Sequence, residues 1–91
     1  MYLEIQEIPK EQVPRCTFAK LSSIEQESSL HSKLHKAMIL GNTHRGKVSI
    51  VFCDDEGLKK VTTTVWAVGE KFITLKGGVW IPISKIVDII F

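Results

Sequence analysis

The strongest fold signal in the chain is a pair of short apolar runs joined by two glycines, in the stretch Phe72-Ile73-Thr74-Leu75-Lys76-Gly77-Gly78-Val79-Trp80-Ile81-Pro82-Ile83. β-Branched and aromatic residues dominate both runs, and such residues favour strands. Glycine tolerates the positive φ angles that a two-residue hairpin turn needs. The stretch therefore predicts a β-hairpin.

Apolar and polar residues alternate with a period of two on both sides of this hairpin, which predicts further strands. Glycine-containing turns separate them at Asp54 to Gly57 and at Gly69 to Lys71. Ile83 to Ile86, after Pro82, is expected to form one 3₁₀ turn. The first predicted strand begins at Lys47. The other four are Leu58 to Val68, Phe72 to Lys76, Val79 to Ile81 and Val87 to Phe91. Five antiparallel strands with a 3₁₀ turn before the last predict a mainly β fold, a small SH3-like or Sm-like barrel over residues 46–91.

A helix is predicted over residues 24–41, because apolar residues recur there at helical spacing. Ser22 or Ser23 with Glu25 or Gln26 matches a capping box at its start, and Gly41-Asn42 suits a left-handed cap at its end. The alternative is that residues 37–42 are extended, since Met38-Ile39-Leu40 places three apolar residues in a row. Residues 1–23 are expected to form an N-terminal extension with a short strand over Tyr2 to Ile8.

The size of the chain, 91 residues, predicts one domain. No apolar run approaches the roughly 20 residues that a membrane-spanning helix needs, and the first residues lack the pattern of a signal peptide. We therefore expect a cytoplasmic protein without a membrane partner. Cys16 and Cys53 are far apart in sequence, and we expect both to stay reduced in that compartment.

The net charge of +2 is small, but the positive charge is concentrated in residues 28–47. This segment contains no acid, all three histidines (His31, His35 and His44) and the bases Lys33, Lys36, Arg45 and Lys47. A basic segment beside a small barrel favours contact with nucleic-acid phosphates.

The glycine hairpin resembles the second motif of Sm and Sm-like RNA-binding proteins, in which an apolar strand, a basic residue and glycine precede the next apolar strand. Lys76 matches the basic position of that motif, and Asp55-Glu56-Gly57 is similar to the acidic turn of the first motif. The layout also resembles Rof-type Sm-like proteins of bacteria. The asparagine with which Sm proteins usually read uridine has no counterpart in Gly69-Glu70-Lys71, so the resemblance implies RNA binding without that base pocket.

Catalytic and metal patterns are weak in this sequence. His31 and His35 share a helical face, but a zinc site needs at least a third protein ligand, so we expect solvent-facing histidines and no metal. The acids after Cys53 raise rather than lower a thiol pKa, which argues against a nucleophile. Known hydrolase, P-loop and metalloprotease patterns are absent from the sequence. We therefore expect no enzyme and no cofactor.

The resulting hypothesis is a non-enzymatic module that binds RNA or single-stranded DNA. Its candidate contact residues are the bases of the basic segment together with one hairpin lysine and two aromatic platforms: Lys33, Lys36, Arg45, Lys47, Lys76, Trp66 and Trp80. The alternative is a protein-interaction or self-assembling module. Edge strands of an incompletely closed barrel pair with each other, and the apolar stretch Ile86 to Phe91 contains only one charge, at Asp88.

Overall fold

The computed structural model describes residues 5–18, 26 and 28–91, and in these residues seven strands form two sheets beside one α-helix. The helix is α1 (Leu30–His44), and the strands are β1 (Gln6–Glu7), β2 (Val48–Asp54), β3 (Gly57–Thr63), β4 (Val65–Val68), β5 (Phe72–Leu75), β6 (Trp80–Pro82) and β7 (Ile86–Ile90). Two 3₁₀ helices cover Lys10–Arg15 and Ile83–Lys85. The predicted mainly β fold is confirmed.

The first sheet has the strand order β1-β3-β2-β7, and the second has the order β4-β5-β6. All neighbours are antiparallel except β1 and β3, which are parallel. No closed barrel is found in the described residues, because no ladder joins β6 to β7. The expected single barrel over residues 46–91 is therefore replaced by two sheets.

The division between the sheets occurs at Thr64, inside the strand that was predicted over Leu58 to Val68. Residues before Thr64 pair with β2, whereas residues after it pair with β5. The Thr64 side chain is buried, and its carbonyl accepts a hydrogen bond from the backbone N–H of Lys76 at 2.9 Å. The alternating pattern continues through this bend, which is why periodicity alone predicted one long strand.

The core lies between the two sheets and under α1. Strand residues that alternate toward the interior are almost fully buried, and one stripe of α1 completes the core. Its fully or nearly fully buried members include Leu30, Leu34, Ala37, Val48, Ile50, Phe52, Val61, Val65, Ile73, Leu75, Ile81, Ile86 and Ile89. The helical members Leu30, Leu34 and Ala37 recur at the helical spacing on which the prediction of the helix was based.

Helix α1 begins and ends later than predicted. Gln26 is not helical, and its side-chain amide donates to the carbonyls of Ile83 and Ile86, both at 2.8 Å. The expected capping residues Ser22, Ser23 and Glu25 lie outside the described residues. The helix continues past Gly41 to His44, so the extended alternative for residues 37–42 is wrong.

Gly41 lies inside the helix because α1 packs closely on β4. A Cβ atom at this position would collide with the backbone carbonyl of Val65 and lie 2.9 Å from the Thr64 methyl group. The left-handed cap is Arg45 instead, with φ 52°. The sequence predicted the left-handed cap at Gly41-Asn42, whereas Gly41 is helical and allows the close packing of α1 on β4.

The predicted hairpin is confirmed, but the expected two-residue turn is wrong: Thr74 pairs with Trp80 and Leu75 bonds to Val79, so Lys76, Gly77 and Gly78 form a three-residue turn. Gly77 and Gly78 have φ angles of 92° and 83°, and they join β5 to β6. The 3₁₀ turn at Ile83–Lys85 is confirmed as well, and Gly57 has the positive φ expected of its turn, 140°. These features depend on local sequence, which explains why they were predictable.

The N-terminal extension packs on the first sheet. Of the strand predicted over Tyr2 to Ile8, only Gln6 and Glu7 form β1, while Tyr2, Leu3 and Glu4 lie outside the described residues. Val13 in the first 3₁₀ helix is buried, and the Phe18 ring lies 6.0 Å from that of Phe52. In the described part of the chain no helix is long and apolar enough to cross a membrane.

Candidate nucleic-acid interface

Trp66 is the bulged residue of the second sheet. Val65 pairs with Leu75 and Ala67 pairs with Thr74, so two adjacent residues of β5 face three residues of β4. A bulge redirects the side chain of the extra residue and shifts the alternation that follows it. Trp66 and Ala67 are consequently both exposed, and 47% of the Trp66 surface is accessible.

The indole of Trp66 lines a depression of about 400 Å³, which we call the Trp66 pocket. Four parts of the chain meet there: the C-terminal end of α1, the segment leading into β2, the Thr64 bend with β4, and the first residue after β5. The lining residues are Gly41, Asn42, Arg45, Lys47, Thr64, Trp66 and Lys76. Four of the seven residues predicted from the sequence to contact nucleic acid therefore share one pocket.

Backbone geometry places the three cations around the pocket. The left-handed Arg45 donates its N–H to the Gly41 carbonyl at 3.1 Å, which closes the end of α1. Gly46 donates to the Leu40 carbonyl at 3.3 Å and turns the chain toward Lys47. The backbone N–H of Lys76 donates to the Thr64 carbonyl, which holds Lys76 beside the bend. The backbone position of each cation is therefore fixed by a nearby turn or hydrogen bond.

The Trp66 pocket is electropositive. No acidic side chain lines it, and among the described residues no carboxylate forms an ion pair with Arg45, Lys47 or Lys76. Unpaired cations around a pocket attract an anion, and an exposed indole offers a face on which a flat ring stacks. The arrangement suits a ligand that combines a phosphate with an aromatic base.

Lys33 and Lys36, also predicted as contact residues, lie elsewhere. The Lys33 ammonium forms an ion pair with Asp88 at 2.7 Å, which lowers the pKa of that carboxyl below its ordinary value. The Lys36 ammonium lies 5.0 Å from the centre of the Phe91 ring. These interactions join α1 to the middle of β7 and to the residue after it, so the cations of the basic segment do not all line one pocket.

Trp80, the second predicted platform, is separate from the Trp66 pocket. Its ring meets Phe72 edge to face at 4.7 Å on the second sheet. It lines a different depression of about 390 Å³, which we call the hairpin pocket and which is also lined by Val13, Pro14, Cys16, Phe18, Gly77, Gly78 and Val79. The two tryptophans therefore belong to different pockets.

The β2–β3 turn contains a buried ion pair that sequence reasoning missed, because the acidic residues there were expected to form only a polar turn. Lys59 donates to Asp54 at 2.6 Å and to Glu56 at 2.9 Å, and the Lys59 and Asp54 side chains are only 9% and 1% exposed. Asp54 also accepts from the backbone N–H groups of Glu56 and Gly57. The spacing of Asp54 and Lys59 on neighbouring strands was the available signal.

The Cys16 thiol lies beside this cluster, within hydrogen-bond reach of Asp54. Burial and the neighbouring Asp54 carboxylate raise the pKa of the Cys16 thiol to about 11, so the thiol stays protonated at neutral pH. Cys16 and Cys53 are both free. All three histidines are exposed, and the part of the chain that is described contains no group of three metal-ligand residues.

Comparison with protein-family models, with curated proteins and with solved structures finds no significant match to this chain. The resemblance to Sm-like proteins thus stays a prediction, and the function must be argued from the geometry of the chain itself.

Proposed function

We propose that this protein is a non-enzymatic module that binds single-stranded nucleic acid, RNA or DNA, through the Trp66 pocket. The observation that carries the proposal is the meeting of Arg45, Lys47 and Lys76 with an exposed indole in one acid-free pocket. Cations contact phosphates, and stacking on an aromatic ring contributes about 1–3 kcal/mol per base.

A single strand fits this pocket better than a duplex. Stacking on Trp66 requires the face of a base, and a base inside a duplex has both faces covered by its neighbours. Three cations neutralise only a few phosphates, so we expect modest affinity that depends on salt and little on sequence.

The proposal includes an open SH3-like or Sm-like arrangement of the two sheets. In support of it, a chain that bends at Thr64 contributes to both sheets, and β7 returns to pair with β2. The single 3₁₀ turn between β6 and β7 supports the same arrangement. The glycine hairpin then closes one corner, and α1 precedes the first long strand as it does in Sm-like proteins.

The test is binding of fluorescently labelled U8 and dT8 to the full chain, measured by anisotropy at low and moderate salt. Trp66→Leu keeps an apolar side chain but removes the stacking face, and we expect it to weaken binding at least about fivefold. Trp66→Phe retains an aromatic face and should lose much less affinity for the oligonucleotides. Both variants change an exposed residue, so folding is expected to survive.

A matched charge control is available on the same strand. Lys76 and Lys71 flank β5 at opposite ends, about 16 Å apart at the rise of an extended strand. Lys76→Gln should weaken binding, whereas Lys71→Gln should not. Absence of any binding by the unmodified protein at low salt would refute the proposal.

A second candidate function is self-association through β7. This strand is an edge of the first sheet, with no partner on its other side among the described strands, and Ile90 and Phe91 are 50% and 52% exposed. Exposed apolar edge strands favour pairing with another strand. Light scattering should then show a dimer or larger assembly that Ile90→Lys disrupts, and a strict monomer at high concentration would exclude it.

A further inference from the structure

The tip of the β5–β6 hairpin separates two pockets of similar size. The Trp66 pocket lies on the side of Lys76, and the hairpin pocket lies on the side of Gly77 and Gly78. The hairpin pocket is predominantly apolar and has two aromatic side chains, Phe18 and Trp80. Trp80 is 55% exposed, which leaves ring surface accessible to a ligand.

A further cation lies at this tip. A Cβ atom built on Gly77 would lie 3.5 Å from the Lys10 ammonium, so Lys10 reaches across from the first 3₁₀ helix to the hairpin backbone. No carboxylate of the described residues forms an ion pair with it. The other side of the tip is open, since a Cβ atom on Gly78 would meet no atom within 4 Å. The tip therefore offers a bare backbone surface between two lysines, Lys10 and Lys76.

The register of the second sheet gives the backbone separation between the strands that carry Trp66 and Trp80. Ala67, Thr74 and Trp80 are paired in one row across the three strands. Strands lie about 4.8 Å apart, so the backbone at Trp80 is about 10 Å from that at Ala67, the neighbour of Trp66. A strand of about four nucleotides, the lower end of the site sizes of single-strand-binding folds, is long enough to pass from one pocket to the other.

We propose that one nucleic-acid strand occupies both pockets, with a second base stacked in the hairpin pocket on Trp80 and its phosphate near Lys10. The strand passes the hairpin tip, where Lys76 contacts one of the phosphates between the two stacked bases. This inference rests on the proposed function and extends it to a minimal ligand of about four nucleotides. Charge decides the occupant: two lysines flank an apolar, aromatic-lined pocket, which suits an anionic chain that carries flat apolar rings.

The experiment compares ligand length with pocket variants of the full chain. Affinities for U2, U4 and U8, and for the corresponding thymidine oligonucleotides, are measured by anisotropy, with NMR titration for the dinucleotides. Affinity should rise steeply from two to four nucleotides and less from four to eight. Trp80→Leu and Lys10→Gln should each weaken U8 binding at least about threefold and leave U2 binding unchanged, whereas Trp66→Leu weakens both.

Lys71→Gln is the matched charge control and should alter neither ligand. Lys10→Gln leaves the Trp80–Phe72 contact intact, so it tests the proposal even where Trp80→Leu fails to fold. If Trp66→Leu weakens U8 but Lys10→Gln and a folded Trp80→Leu do not, the second pocket is refuted and the proposed function stands. If the unmodified protein binds no oligonucleotide at low salt, both are refuted.

Discussion

Arg45 combines an unfavourable backbone with an exposed positive charge. Its φ of 52° falls in the left-handed region, which costs a non-glycine residue roughly 1 kcal/mol. We predict that Arg45→Gly raises the free energy of unfolding by up to about 1 kcal/mol and weakens nucleic-acid binding, because it relieves the backbone and removes a pocket cation. Urea unfolding and oligonucleotide anisotropy measure the two effects.

The matched control for Arg45 is Arg45→Gln. It removes the charge but leaves a side chain in the left-handed conformation, so affinity should fall without a gain in stability. Unchanged affinity in both variants would show that Arg45 only caps α1.

The buried carboxylate of Asp54 makes the stability depend on pH. Burial by itself favours the neutral form, but hydrogen bonds from Lys59 and the Glu56 backbone outweigh it and lower the pKa below its ordinary 3.8. A folded pKa below the unfolded one stabilises the protein above the ordinary value, and this contribution disappears as the pH falls through the folded value. Asp54→Asn should therefore cost roughly 3 kcal/mol at pH 7, because Lys59 stays buried with only the exposed Glu56 as an ionic partner.

The corresponding measurement is urea unfolding of both proteins at pH 7 and at pH 3 or below. The difference in unfolding free energy between wild type and Asp54→Asn should shrink at low pH. Asp88, whose pKa is also lowered, is present in both proteins and cancels from the difference. A difference independent of pH would contradict the assignment.

Helix α1 is positioned by the close approach of Gly41 to β4. Gly41→Ala improves helix propensity, but its methyl group would collide with the Val65 carbonyl and push the helix end outward. We predict that the free energy of unfolding falls by about 1–3 kcal/mol. We also expect weaker oligonucleotide binding at the Trp66 pocket, because Arg45 moves with the helix. Thermal unfolding measures the loss. Asn42→Ala, next to it and exposed, should be nearly neutral for stability, and a stable Gly41→Ala protein would contradict this packing.

Elements that depend on neighbouring residues were predictable, and those that depend on distant contacts were not. The Gly77-Gly78 hairpin and the 3₁₀ turn follow from local turn chemistry. The bend at Thr64 and the bulge at Trp66 follow from pairing with β5, which alternation along one strand does not encode. The sequence predicted which residue types form the candidate site, namely cations and a tryptophan. The geometry of the site was not predictable, because Lys33 and Lys36 are held by Asp88 and Phe91, far along the chain.

At the scale of the whole molecule, the net charge of +2 conceals an uneven distribution. The cations of the basic segment divide between two places: Arg45 and Lys47, beyond the C-terminal end of α1, border the Trp66 pocket, while Lys33 and Lys36 contact Asp88 and Phe91. A count of the cations in residues 28–47 therefore overestimates the number of phosphates that one bound strand can contact. Binding should depend on the pocket cations and not on the total charge.

The salt dependence of binding separates these two possibilities. Each phosphate contact on a single strand contributes a slope of about −0.7 to the plot of log affinity against log salt, so three or four cations predict a slope of about −2 to −3. We predict that Lys47→Gln makes the slope shallower by about 0.7, because it removes one pocket contact. Lys36→Gln changes the net charge equally but removes a cation that lies over Phe91, so its slope should match the wild type. Equal slopes for the two variants would mean that binding follows net charge, and the Trp66 pocket would then lose its role as the phosphate site.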